Sequence, residues 1–209
     1  MEEVDFDNKK YLWRLLRSLD EVHEEINIRM KVGGEFEVSG MYQAAGKSYY
    51  EVARLGEIHL EDYEGALSVY RTSAECYLKT QSIDAIHCYE RMIDILLKTG
   101  KVDRAIEYCV KFGYSCAHEL DDTEKGDQFY SRAEEIRRLH NKSHTCSKTK
   151  FDPSEYDNDQ AKALKDLKDF DVVKPGIFTS QITGVGLCRN CIEAYEQLRQ
   201  FVSKLKPIQ

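Results

Sequence analysis

No proline precedes Pro153, and the only others are Pro175 and Pro207. Proline fixes φ, removes an amide donor and costs about 3 kcal/mol inside a helix, so its absence leaves the first 150 or so residues open to long uninterrupted helices. Extended apolar runs are missing too. No stretch approaches the ~20 apolar residues that a membrane-spanning helix needs, and the start Met1-Glu2-Glu3-Val4-Asp5 is acidic where a signal peptide is basic. Positive charge is in deficit, with 30 Lys and Arg against 37 Asp and Glu, a net charge of −7. That balance excludes a general nucleic-acid binder and still permits a local basic face. A cytoplasmic protein, peripheral to membranes at most, is the expectation.

Catalytic signatures are absent as well. There is no Ser-His-Asp string, no HExxH and no glycine-rich phosphate loop, since Gly184-Val185-Gly186 is too short and lacks a strand-to-helix setting. Carboxylate pairs such as Glu24-Glu25 and Asp121-Asp122 suit solvated faces or helix starts. The six histidines are dispersed, and His87 and His118 fall on repeat helices. The expectation is a protein that is not an enzyme and uses no cofactor. Of seven cysteines, Cys76, Cys88, Cys109 and Cys116 occupy core-like helical positions, where a reduced thiol behaves as a small hydrophobe. Cys188-Arg189-Asn190-Cys191 alone has metal-like spacing. Without a second close pair it reads first as a cysteine-bearing helix start, with zinc (completed by Cys146 and His140 or His144) and redox use as alternatives.

What the chain has is a repeat. Ala66-Leu67-Ser68-Val69-Tyr70, Ala85-Ile86-His87-Cys88-Tyr89, Ala105-Ile106-Glu107-Tyr108-Cys109 and Gly126-Asp127-Gln128-Phe129-Tyr130 begin 19, 20 and 21 residues apart. A small residue lets a neighbouring helix approach, and a ring or thiol four positions on fills the groove beside it. Recurrence at that period predicts an all-α, right-handed array of antiparallel helical hairpins, a tetratricopeptide-like solenoid, with a less regular C-terminal segment.

Along the chain, apolar spacing over Leu12, Leu15, Leu16, Leu19, Val22 and Ile26 predicts a helix at 8–30, broken by Gly33-Gly34. Further helices are predicted at 41–59, at 63–80 after the acidic Glu61-Asp62, and at 83–98, with Ser82 as N-cap and Thr99-Gly100 as terminator. Helices at 102–118 and 123–140 follow; connections of two to four residues make neighbours antiparallel. The resulting division is a repeat array at 1–140, a polar linker at 141–160 and a C-terminal helical segment at 161–209, with helices at 161–170 and 187–205.

Within this frame a family resemblance emerges. Ala44-Ala45-Gly46-Lys47-Ser48-Tyr49 is followed by Tyr77-Leu78-Lys79-Thr80 and Asp84-Ala85-Ile86-His87-Cys88. Ile93-Asp94-Ile95, Gly100-Lys101 and Glu119-Leu120-Asp121-Asp122-Thr123-Glu124-Lys125 continue the series to Phe129-Tyr130 and Ala133. Their order and register across Tyr42–Arg138 resemble the soluble NSF attachment proteins, the SNAP family. The resemblance implies an adaptor in vesicle-mediated transport that lies along the acidic SNARE helical bundle and recruits an NSF-type AAA ATPase. It places Lys101, with Arg104 nearby, on the basic face that holds the bundle, while Glu107 stands where the family commonly has a Lys. Tyr63 and Tyr114 are added as candidate recognition aromatics, because Tyr is favoured at interfaces. Lys31–Glu37 matches the family's apolar membrane-touching loop but carries one Phe and two carboxylates, so weak or no membrane insertion is expected. About sixty residues of the C-terminal part read as unlike the family, with Leu198 to Gln209 only faintly similar to its last helix. A tetratricopeptide-like scaffold for an unrelated large protein, or a paralogue that does not recruit the ATPase, is the alternative.

Overall fold

A computed structural model describes residues 18–142, 150–156, 159–171 and 188–205. Among these, every regular element is helical. Helix α1 spans Leu19–Val38; α2, Tyr42–Leu55, runs into a π-helical turn at Gly56–Leu60; α3 spans Tyr63–Lys79 and α4 Asp84–Lys98. Helices α5 (Val102–His118) and α6 (Thr123–Leu139) follow, then a 3-10 turn at Pro153–Tyr156, α7 (Gln160–Asp171) and α8 (Arg189–Lys204). The described residues fall into two compact units that divide between Gly100 and Lys101.

In the first unit consecutive helices are antiparallel. The Gly46 carbonyl near the start of α2 accepts the Ser73 hydroxyl from the far end of α3 at 2.7 Å. Gln43, at the start of α2, donates to Asp84 at the start of α4 at 2.7 Å, so α2 and α4 lie side by side in the same sense. This is the stacked-hairpin arrangement that the repeat requires. Ala66, Ala85 and Ala105 are at most 2% exposed, and Tyr70, Tyr89 and Cys109 are fully buried. Large apolar side chains of the first unit, among them Met92, Ile93 and Leu96, are sealed from solvent; each is worth about 1.5–3 kcal/mol of transfer free energy.

The turns share a device that residue types do not announce. Gly40, Glu61, Gln81, Gly100, Asp121 and Asn141 all have positive φ, between 51° and 74°, and recur every 19 to 21 residues. Each turns the chain out of one helix so that the next can pack back, with only two glycines to relieve the steric cost.

Helix α1 departs from expectation. Ser18 accepts the Glu21 amide at 3.2 Å while the Glu21 carboxylate accepts the Ser18 amide at 3.0 Å, a capping box that starts the helix there. Residues 8–17 lie outside the described residues. The helix then runs through Gly33-Gly34 without a break. A Cβ on Gly33 would stand 2.9 Å from the Tyr49 ring of α2, so this glycine serves close helix approach, not termination. Lys31–Glu37, expected as a loop, is therefore helical, and the chain turns only at Ser39-Gly40.

The second unit contains the α5–α6 hairpin and a C-terminal pair. Gly113 and Gly126 let α5 and α6 meet backbone to backbone; a Cβ on either would lie 3.0 Å or less from the other's carbonyl oxygen. Helices α7 and α8 pack around Tyr156, Ala163 and Leu198, with Phe151, Leu167, Phe201 and Val202 closing the cluster. Phe151 and Tyr156, within the stretch expected as a polar linker, stack at 5.9 Å and thus tie that stretch to α8. Helix α8 docks on the hairpin. Arg189 reaches Asp127 of α6 at 2.9 Å, and Glu196 lies 3.4 Å from His118 of α5.

Candidate partner-binding surface

Helix α5 begins with the two predicted basic residues one turn apart. Lys101 is its N-cap residue, its carbonyl accepting the Ala105 amide at 3.0 Å. Arg104 is exposed, with its guanidinium 5.9 Å from the centre of the Tyr108 ring. Spacing of three and then four residues puts Lys101, Arg104 and Tyr108 on one stripe of the helix. Tyr108 is held from behind by edge contact with Phe112 at 5.2 Å, and Phe112 in turn contacts Phe129 of α6. The ring is therefore a fixed platform under the guanidinium, a cation–π pair worth about 0.5–1 kcal/mol at an exposed site.

Two acidic neighbours could cancel this basic character, and both have cations of their own. Asp103 is bridged by Lys142 at 2.8 Å. Glu107 pairs with Lys111 at 2.7 Å, and both side chains are mostly buried. The Lys111 ammonium also approaches the Tyr108 ring at 5.4 Å. Tyr108 and Lys111 escaped sequence reasoning. Only their i+4 and i+7 relation to Arg104 could have signalled them.

The other candidates lie elsewhere. Tyr114 sits further along α5, its ring tilted by 34° against His118 with centres 4.2 Å apart, and engages Glu196 of α8. Burial first, and the Glu196 carboxylate second, push its phenol above the ordinary tyrosine value. Tyr63 belongs to the first unit, at the start of α3, where the Lys98 ammonium lies 4.7 Å above its ring.

At the start of α8, Cys188 is the N-cap residue and Cys191 lies one turn in, their sulfurs 3.6 Å apart. Among the described residues no three His, Cys, Asp or Glu side chains converge where a metal ion could sit. No helix among them is long and apolar enough to cross a membrane.

A family model, described as soluble NSF attachment protein, SNAP, matches residues 20–187. The chain belongs to the SNAP family. The match extends past Tyr42–Arg138 in both directions, taking in nearly all of α1 and the region through α7, which corrects the reading of about sixty C-terminal residues as unlike the family for the part up to residue 187. Helix α8 lies outside it. No curated protein matches the chain. SNAP proteins are non-catalytic adaptors of vesicle trafficking, and the chain shares their family and an all-α array of hairpins.

Proposed function

We propose that this SNAP-family chain is an adaptor that binds bundles of SNARE helices, in the cytoplasm at the membrane periphery, and brings an NSF-type AAA ATPase to them. The family match over residues 20–187 carries this reading. The proposed contacts are Lys101 and Arg104, with Tyr108 fixing the Arg104 head group, and Tyr63 as a separate aromatic contact. Tyr114 acts through its hold on α8. An acidic helical bundle suits such residues. Although the chain as a whole is negative, its α5 stripe offers cations whose neighbouring carboxylates are already paired, and rim charges of this kind set association rate and salt sensitivity.

The test is capture of the protein on assembled SNARE bundle at low and at physiological salt, with Lys101→Glu and Arg104→Glu singly and together. The double variant should bind at least about tenfold more weakly, a loss of about 1.4 kcal/mol, and should lose much of the salt dependence. No binding of the unaltered chain at low salt overturns the assignment and favours a scaffold for another protein. Binding without stimulation of bundle disassembly by the ATPase removes the recruitment half of the proposal.

A further inference from the structure

We propose that Cys188 and Cys191 are a thiol–disulfide exchange site, forming a reversible intramolecular disulfide at the first turn of α8 by reaction with small disulfides of the oxidised-glutathione type. The geometry carries this. The Cys188 thiol points at the Cys191 sulfur across 3.6 Å, and both side chains are buried, at 7% and 1% exposure. A disulfide needs the sulfurs at about 2.05 Å, so they must close by roughly 1.5 Å. Cys188 can move that far because it is the N-cap residue, with φ −129° and ψ 174°, outside the helical hydrogen-bond ladder. Two cysteines three apart, the first just outside a helix and the second in its first turn, bring both sulfurs to one side of that turn. The described interior cysteines contrast with this: the Cys88 thiol is directed at the Ser73 hydroxyl, 3.3 Å away.

The exchange balances without further reagents. Cys188, as thiolate, attacks one sulfur of the small disulfide, forming a mixed disulfide and expelling one small thiolate. Cys191, as thiolate, then attacks the Cys188 sulfur, forming the internal bond and expelling the second. Two protein thiols lose two electrons, the small disulfide gains them, and the two protons released protonate the leaving thiolates. Burial raises the Cys188 thiol above its ordinary value, so the reaction is slow near neutrality and quickens with pH. The bond closes the turn next to Arg189, whose guanidinium holds Glu193 and Asp127. Oxidation thus stiffens the end of α8 that docks on α6. In a reducing compartment such a bond is transient and reports redox state.

The experiment equilibrates the full chain in glutathione buffers of graded reduced-to-oxidised ratio, quenches with acid, alkylates and maps the peptides by mass. The expected result is paired loss of two thiols, with the 188–191 peptide two hydrogens lighter and no retained glutathione. Amides in the first turn of α8 should then exchange more slowly. Cys188→Ser should abolish the product and keep the fold, since Ser is a favoured N-cap; Cys191→Ser, its helicity checked by circular dichroism, should stop at the glutathione adduct. Full alkylation of both thiols in oxidised buffer, arrest at a mixed disulfide in the unaltered chain, or pairing with another cysteine would each overturn the proposal.

Discussion

Arg91 of α4 holds Glu57, carried on the π-helical turn after α2, through its Nε and Nη2 groups on one edge of the guanidinium, and the Tyr70 hydroxyl of α3 donates to the same carboxylate at 3.0 Å. One buried carboxylate thus joins three successive helices of the first unit. The π turn matters because it delivers Glu57 inward, where its side chain is only 5% exposed. Removing the cation leaves a buried charge with one neutral donor, which is far costlier than replacing the whole pair. Arg91→Met should destabilise the fold by about 3 kcal/mol, at the low end of the range for broken buried pairs because Arg91 itself is about one-third exposed. Glu57→Gln combined with Arg91→Met should recover part of that loss. Urea titrations read the effect as a shift in midpoint at constant slope; equal stability of the single and double variants would contradict it.

Glu107 gives a second expectation. Its carboxylate neutralises Lys111, which is 6% exposed. Glu107→Gln should cost about 1–3 kcal/mol through the weakened charge-assisted bond. Glu107→Lys should cost more, because two ammonium groups would then share one mostly buried site. Thermal unfolding checks both. A Glu107→Lys protein as stable as the unaltered chain would show that Lys111 escapes readily to water.

The periodic core could be read from residue order because each hairpin repeats the same packing problem, and a small residue followed by a ring solves it each time. Positions such as Ala85 and Tyr89 announce their burial. At the turns, residue type and positive φ coincide at Gly40 and Gly100; Glu61 and Gln81 take the same conformation without any such mark. Gly33-Gly34 was misread because a glycine in a helix and a glycine ending one look alike until the partner, Tyr49, is known. Phe151 and Tyr156 were hidden by polar neighbours, since their burial depends on α8, more than thirty residues on. At the candidate surface, Lys101 and Arg104 were visible as charges. That Asp103 and Glu107 are already paired follows only from geometry.

Gly33 and Gly34 allow a matched pair of substitutions. At Gly33 an added Cβ meets three atoms of the Tyr49 ring at 2.9–3.2 Å, and that ring is itself packed and nearly sealed. At Gly34 the nearest atom is the Tyr49 hydroxyl oxygen at 3.9 Å, an ordinary contact. Gly33→Ala should therefore destabilise by about 1–3 kcal/mol through overpacking. Gly34→Ala should stabilise by up to about 1 kcal/mol, the gain in helix propensity. Denaturant midpoints of the two variants should move in opposite directions, and parallel shifts would refute the close-approach reading.

Alkaline pH should unfold the first unit through its buried acids. Burial raises Cys76 to about 11, Cys88 to about 12 and Tyr49 to about 12, the last assisted by donation to the Glu37 carboxylate, and it carries Tyr70 and Tyr77 higher still. In the unfolded chain the same groups titrate near their ordinary values of 9.0 for Cys and 10.0 for Tyr. Above pH 9 the native state therefore holds more protons than the unfolded state, and stability falls as pH rises. The stabilisation is complete below the unfolded values and is lost progressively as pH climbs through the raised ones. Tyrosinate absorbance and helical circular dichroism followed together test this. The buried phenols should ionise only as helix is lost, and Tyr49→Phe should make the decline less steep. Full tyrosine ionisation near pH 10 with helicity intact would show that water reaches these rings in the native state.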